Sequence, residues 1–469
     1  MSPCRRVAIF TLLPLIWIAS SAEQSPLLLT PLISRNELLR ARNLSLVGSL
    51  DGCDNPETYS GYLTVNETTN ANLFFWFIPA MNTSPTAPVV LWLQGSPGSS
   101  SLFGLFVEHG PYEVTKNLSL QPRASTWAKS FNMLYIDNPV GAGFSYVSPD
   151  GHARNFSDVG RDLFIGLQQF FTLFDEYGEN DFYVAGESFA GKFVPALAHE
   201  ILRNNLTAKM NLQGIIIGSS LCDPPTMMSY ADFLLNLGLI SEIQAKYFKR
   251  QERIVLESLK ENDYVKAFEV FSELINGNRV NRTKSYFQRK SGFSLKFNAL
   301  QAKEPEAYNY FKGFLKLNGT RQALHVGNAS FNDGLTVRQS LKGEMMKSVK
   351  PWIEEALERR LKVLIYSGQF DIIVPYPLSR SFVNSIGWGG AQAFSEARRL
   401  IWRNETTGEP VGYVRQFGVL TEVLVRNAGH FVPFDAPRQA YDMMDRFINN
   451  KAFGRSSRMI RTSPTRAKQ

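Results

Sequence analysis

Short apolar runs bounded by turn residues recur along the chain: VVLWL (89–93), MLYI (133–136), FYVAG (182–186), GIIIG (214–218), VLIYSG (363–368) and EVLVRNAG (422–429). Runs of this length without polar alternation predict strands buried on both faces, as in a mostly parallel sheet. Between them lie stretches with helical spacing. In DVGRDLFIGLQQFFTLFDEY (158–177), Val159, Leu163, Ile165, Leu167, Phe170 and Phe171 give a broad apolar face. Strand and helix in alternation predict an α/β fold with right-handed crossovers. From Pro224 to Pro351 the strand-like runs give way to charged helical stretches such as SEIQAKYFKRQERIVLESLKENDYVKAFEVFSELI. That change predicts a helical cap inserted over the carboxyl edge of the sheet. The expected organisation is a leader (1–22), a first core part (23–223), the cap (224–351), a second core part (352–453) and a polar tail (454–469).

The leader reading rests on MSPCRRVAIFTLLPLIWIASSAEQ, where Arg5 and Arg6 precede an apolar run from Val7 to Ile18 and small residues ending at Ala22. This is the pattern of a secretory signal peptide cleaved after Ala22. The run is short for a bilayer span of about 20 residues, and no second apolar run of that length follows, so the mature chain is expected without a membrane span, secreted or lysosomal. Ten Asn-x-Ser/Thr sequons agree: Asn43, Asn66, Asn82, Asn117, Asn155, Asn205, Asn281, Asn318, Asn328 and Asn404. Of the three cysteines, Cys4 leaves with the leader. Cys53 and Cys222 either pair in an oxidising compartment or remain two buried thiols. Neither has a ligand-spaced partner for zinc.

Composition is that of an ordinary globular protein, 44% hydrophobic and 20% charged, with a formal net charge of +8. The positive excess does not point to nucleic acid. Arg455, Arg458, Arg461, Arg466 and Lys468 crowd into the polar tail, and no basic stripe alternates with aromatics elsewhere.

The stretch VAGESFAGKFVPA (184–196) places Ser188 between an apolar run and a helix-forming segment. A nucleophile elbow needs small residues around its serine, because strand and helix backbones meet there; Gly186 and Ala190 satisfy that. A serine nucleophile also needs a base and an orienting acid. With the order Ser, acid, His expected of such a sheet, the five histidines make a short search. His430, in VRNAGHFVPFDAP, follows the final strand directly, and Asp371, in LIYSGQFDIIVP, stands just past another strand end. For His109, His152, His199 and His325 the expected role is a surface or satisfied core histidine.

The blocks GESFAGKFVP, SGQFDIIVP, AGHFVPFDAP, YIDNPVGAGFSY and FVEHGPY resemble the signatures of the serine carboxypeptidases, most nearly the vitellogenic carboxypeptidase-like proteins. They run in order from YSGYLTV (59–65) to AGHFVPFDAP (428–437). The resemblance implies an α/β-hydrolase fold with an inserted cap, no cofactor or metal, and peptide or protein C-termini as substrate, cleaved one residue at a time and favoured at acid pH. It leaves open a homodimer. Position by position it implies Ser188 as nucleophile, His430 as general base and acid, and Asp371 as orienting carboxylate. Ser96 and Phe189 would supply the oxyanion N–H groups. Gln94, Gly95, Glu187 and Glu108 would receive the substrate's terminal carboxylate.

The loop WLQGSPGSSS (92–101) departs from the family's WLNGGPG. Gln94 keeps the amide with one more methylene, Ser99 replaces a usual cysteine or glycine, and Ser96 replaces the second glycine. If position 96 is left-handed, serine there costs about 1–2 kcal/mol. If the loop instead turns the N–H away, losing one oxyanion donor costs roughly 10²–10³ in rate. Two other readings therefore stand beside an active carboxypeptidase: a binding protein of the same fold with weakened catalysis, and an acyltransferase using the same triad.

Overall fold

The computed structural model describes residues 25–50, 57–278, 281 and 283–454. The leader, Cys53 and all but the first residue of the polar tail lie outside the described residues. One large sheet organises the chain. Its strands are β1 (Tyr59–Asn66), β2 (Ala71–Ile78), β3 (Val89–Leu93), β6 (Asn132–Ile136), β7 (Asp181–Glu187), β8 (Asn211–Gly218), β9 (Lys362–Gly368), β10 (Leu400–Arg403), β11 (Pro410–Phe417) and β12 (Leu420–Val425). The short β4 (Tyr112–Val114) and β5 (Leu120–Pro122) pair separately. Spatial order is β1-β2-β6-β3-β7-β8-β9-β12-β11-β10. The six strands from β6 to β12 run parallel, and antiparallel pairs flank them on both sides. The α/β-hydrolase architecture expected from the sequence is present.

Alternate residues of the central strands feed two cores, one on each face of the sheet, as the two-residue period of a strand requires. Val89, Leu91 and Leu93 join one core, with Val184, Ile215, Ile217, Val363 and Ile365. Val90 and Trp92 join the other, with Tyr183, Ala185, Ile216, Leu364 and Tyr366. Both faces being covered, these strands read as unbroken apolar runs. The edge strands were not among the predicted runs. Every residue of β2 is buried, whereas β11 mixes buried with exposed positions and gives no such run. The predicted strand at 422–429 ends at Val425, and Arg426 begins the turn towards His430.

The helix expected at 158–177 spans Phe156–Leu173, and Asp175–Tyr177 follows as a 3₁₀ turn. Its start is set by Asn155, whose side-chain oxygen accepts from Asp158 N at 2.8 Å. Its apolar face packs on β1 and β2 through a cluster of rings: Phe170 meets Phe75, Phe77, Phe171 and Phe174 at centroid distances of 5.0–6.0 Å. The helix Ala190–Arg203 covers the same face.

Between β8 and β9 the described chain is helical, including Tyr230–Asn236, Glu242–Lys260 and Tyr264–Phe271. A capping box of Ser241 and Gln244 starts the longest of these, which buries Ala245, Phe248, Glu252 and Val255 on one side. Among the described residues no helix is long and apolar enough to cross a membrane. Eight of the ten sequon asparagines are exposed, and Asn155 and Asn404 are half-buried. Cys222 is a fully buried thiol whose Sγ lies 3.6 Å from Gly191 O, and the other cysteine of the expected pair, Cys53, lies outside the described residues.

Phe170→Ala deletes a fully buried ring at the centre of the helix–sheet contact. We expect it to lower stability by about 3–5 kcal/mol, read as a shift in the denaturant midpoint, with KM unchanged.

Candidate active site

The carboxyl ends of the parallel strands carry the candidate residues. Ser188 follows β7 directly and adopts φ +57°, a left-handed conformation that costs a non-glycine residue about 1–3 kcal/mol. The turn is held by Ser188 N donating to Gly218 O at 2.8 Å, and the helix Ala190–Arg203 leaves from it. Gly95, after β3, lies against this corner backbone to backbone. A β-carbon added there would sit 2.5 Å from Phe189 N and 2.6 Å from Ser188 Cβ, so only glycine allows the approach.

His430 and Asp371 come together from β12 and β9. His430 Nδ1 lies 2.8 Å from Asp371 Oδ2, and both side chains are fully buried. The other Asp371 oxygen accepts from Ile373 N at 2.9 Å and Val374 N at 3.0 Å, which fixes the carboxylate plane. His430 Nε2 has no hydrogen-bond partner among the described residues. The helical insertion seats the imidazole: His430 N donates to Phe297 O at 2.6 Å, and the two rings stack at 5.2 Å. Asp435 accepts from Gly429 N at 2.7 Å and Asn298 Nδ2 at 3.0 Å, tying the His430 loop to the insertion a second time.

A second group of side chains is fully enclosed beside the elbow. Trp92 Nε1 donates to Gln94 Oε1 at 2.9 Å, which orients the amide so that Gln94 Nε2 donates to Glu187 Oε1 at 2.8 Å. Glu108, on a π-helical turn (Gly104–His109), faces Glu187. Both Glu108 oxygens and Glu187 Oε2 are buried and meet no donor outside the Gln94–Glu187–Glu108 group. Arg123, whose charge acts on Glu108, is committed to Phe106 O at 2.7 Å, Gly110 O at 3.2 Å and Glu113 at 3.3 Å. Burial pushes both carboxyls well above the usual carboxylate range, and Glu108's charge raises Glu187 further. The pair therefore retains a proton at neutral pH.

The loop between these groups holds Ser96 at φ +51°, half-buried. The left-handed alternative weighed for this position is the one adopted, at a cost of about 1–2 kcal/mol relative to glycine.

The remaining histidines lie elsewhere. His109 stacks on Trp127 at 4.0 Å and meets Trp92 at 4.3 Å. His325 lies 3.1 Å from Ser60 Oγ, His199 pairs with Glu355 at 2.5 Å, and His152 packs against Gly141. Sequence reasoning missed Asp137, directly after β6. Its carboxyl accepts from Ser100 Oγ at 2.6 Å, Ser101 N at 2.9 Å and Phe144 N at 2.8 Å, while burial pushes it up to about 6. Its signal was available: like Asp371, it is an acid immediately past an apolar run. Phe297 and Asp435 carried no comparable signal.

Comparison with known proteins shows the family and the fold. Residues 50–450 match the family model for serine carboxypeptidase. The chain is 47% identical over 433 residues to the probable serine carboxypeptidase CPVL of Homo sapiens, covering 91% of this chain and 90% of that protein. It is 43% identical to the venom serine carboxypeptidase of Apis mellifera, covering 91% and 92%. Among solved structures, Kex1Δp, a prohormone-processing carboxypeptidase from Saccharomyces cerevisiae, superposes with a TM-score of 0.75 at 21% identity, covering 87% of this chain and 96% of that one, a likeness of fold. By family model, sequence identity over nearly its whole length and fold, the chain belongs to the serine carboxypeptidase family.

Proposed function

We propose that this protein removes C-terminal residues from peptides through an acyl-enzyme on Ser188, within the secretory pathway and as a glycoprotein. Ser188 Oγ attacks the carbonyl of the last peptide bond while His430 Nε2 takes its proton. Asp371 accepts the hydrogen bond from Nδ1, which leaves the Nε2 lone pair to act as the base. The N–H groups of Ser96 and Phe189 receive the oxyanion. The C–N bond then breaks, and His430 returns the proton to the departing amino acid. Water repeats the sequence on the ester and frees the shortened peptide.

The observation that carries this reading is the enclosed Gln94–Glu187–Glu108 cluster beside the elbow. A general hydrolase has no use for two buried carboxyls facing each other, without a cation bonded to either, next to its nucleophile. An exopeptidase has to receive a carboxylate there. Gln94 Nε2 and Gly95 N–H would donate to the substrate's terminal group, and the proton retained by the glutamates lets a carboxyl meet a carboxylate without repulsion. This assigns an acid preference to the cluster: the proton is present below the raised pKa values and lost as pH rises through them.

The first test incubates the protein with a blocked dipeptide between about pH 4 and 7. Release of the C-terminal residue, its loss in Ser188→Ala by about 10³–10⁶, and labelling of Ser188 by an organophosphonate are expected. Absence of both release and labelling would leave a binding protein. Transfer of the acyl group to an added amine in preference to water would favour the acyltransferase.

The second test concerns the carboxyl pair. In the wild type KM is expected to rise between pH 5 and pH 8, and in Glu187→Gln, whose amide donates without needing that proton, the rise is expected to flatten. An equally steep rise in both proteins would remove the cluster from substrate recognition. Stability carries the same sign. The unfolded chain releases these protons near about 4.3, so the folded state loses stability as pH rises above that value. Glu108→Gln is expected to reduce the difference in melting temperature between pH 5 and pH 8.

A further inference from the structure

The loop carrying Ser96 is gripped at several points, and one of them comes from the insertion. Gly95 lies on the elbow, and Asp137 takes the bonds of Ser100 and Ser101 at the other end. Between them Gly98, at φ +98°, stacks on Gly334, at φ +77°. A β-carbon on Gly98 would lie 2.5 Å from Gly334 Cα, and one on Gly334 would lie 2.3 Å from Gly98 O. Two bare backbones meet there, with no room for a side chain on either.

The segment bringing Gly334 to this place is itself anchored to the core. Asn332 N donates to Gly143 O at 2.7 Å, and Asn332 Nδ2 to Ser145 O at 3.3 Å. Leu335 N donates to Asp333 Oδ1 at 3.1 Å, closing the turn that presents Gly334. The core side of this anchor is held by the same residue as the oxyanion loop: the Asp137 carboxyl accepts from Phe144 N at 2.8 Å, and Ser145 Oγ donates to the Asp137 backbone carbonyl at 2.6 Å. Strap, turn and loop thus form one closed backbone network with Ser96 at its free corner. A serine at φ +51° relaxes towards negative φ unless its neighbours prevent it, and rotation about that bond turns its N–H.

We propose that the strap Asn332–Gly334 is a positioning element for catalysis: its backbone contact with Gly98 holds Ser96 in the left-handed conformation that presents its N–H to the oxyanion. The proposal rests on Ser96 as an oxyanion donor. In other words, the insertion completes the oxyanion hole, and the serine at 96 makes the strap necessary where a glycine would not.

The test compares the wild type, Gly334→Ala, Ser96→Gly and the double variant, with melting curves to confirm folding. Gly334→Ala is expected to lower kcat by about 10- to 100-fold, with KM and competitive inhibition by the product peptide changed less than about twofold, because the strap acts on the transition state alone. Ser96→Gly, whatever its own activity, supplies the background in which the loss caused by Gly334→Ala is read a second time. In the Ser96→Gly background Gly334→Ala is expected to cost less than about threefold, because glycine adopts positive φ unaided. Should Gly334→Ala fold poorly, Asn332→Ala, which removes the side-chain bonds to Ser145 O and Ser330 O but keeps the backbone bond to Gly143 O, decides in its place with a smaller loss of the same pattern. An unchanged kcat in the folded variant, an equal loss in both backgrounds, or a loss confined to KM would overturn the strap. A wild type without turnover would instead overturn the catalytic reading beneath it.

Discussion

The contact of Gly95 with the elbow is the constraint on which the site depends. Three strand ends converge there, and the distance from the Gly95 backbone to Phe189 N leaves no space for a side chain. That approach sets where the 94–101 loop begins, and with it the direction of Gln94. Because Trp92 fixes the amide and the amide fixes Glu187, the carboxyl pair stands at a defined distance from Ser188. The strain of two left-handed serines, 96 and 188, is sustained by the sheet on one side and the insertion on the other. Strain of this kind persists only where surrounding structure over-determines it.

Burial then does two different things to neighbouring carboxyls. Asp371 is enclosed but accepts two backbone N–H groups and the imidazole, so each oxygen is satisfied. Glu108 is enclosed with no backbone donor, facing a second carboxyl that takes one bond from Gln94. The first arrangement fixes an acceptor for a histidine's N–H, the second encloses a group that keeps its proton. Two roles arise from one chemical group because their hydrogen-bond surroundings differ.

Much of this was legible in the sequence. The central strands announced themselves because both faces are buried, and Ser188, Asp371 and His430 were found because each stands just past such a run. The antiparallel edges were less legible, since half-exposed strands such as β11 mix polar and apolar positions. The resemblance supplied Glu108 and Gln94; their enclosure and the orientation given by Trp92 required the fold. Two things depended on distant parts of the chain meeting: the seating of His430 on Phe297 and the contact of Gly98 with Gly334. Local pattern carries no trace of such contacts. Asp137 is the one residue that position alone could have revealed.

The seating of His430 on Phe297 bears on how members of such a family can diverge. A cap inserted in a hydrolase is ordinarily free to vary, because loops tolerate change better than the sheet that bears them. Here one backbone carbonyl of the cap and the ring beside it belong to the support of the imidazole. Evolution can remodel the far helices and redirect specificity while leaving that patch alone. A cap transplanted whole from a relative would bring its own seat for the histidine, and so exchange the tuning of the base along with the choice of substrate.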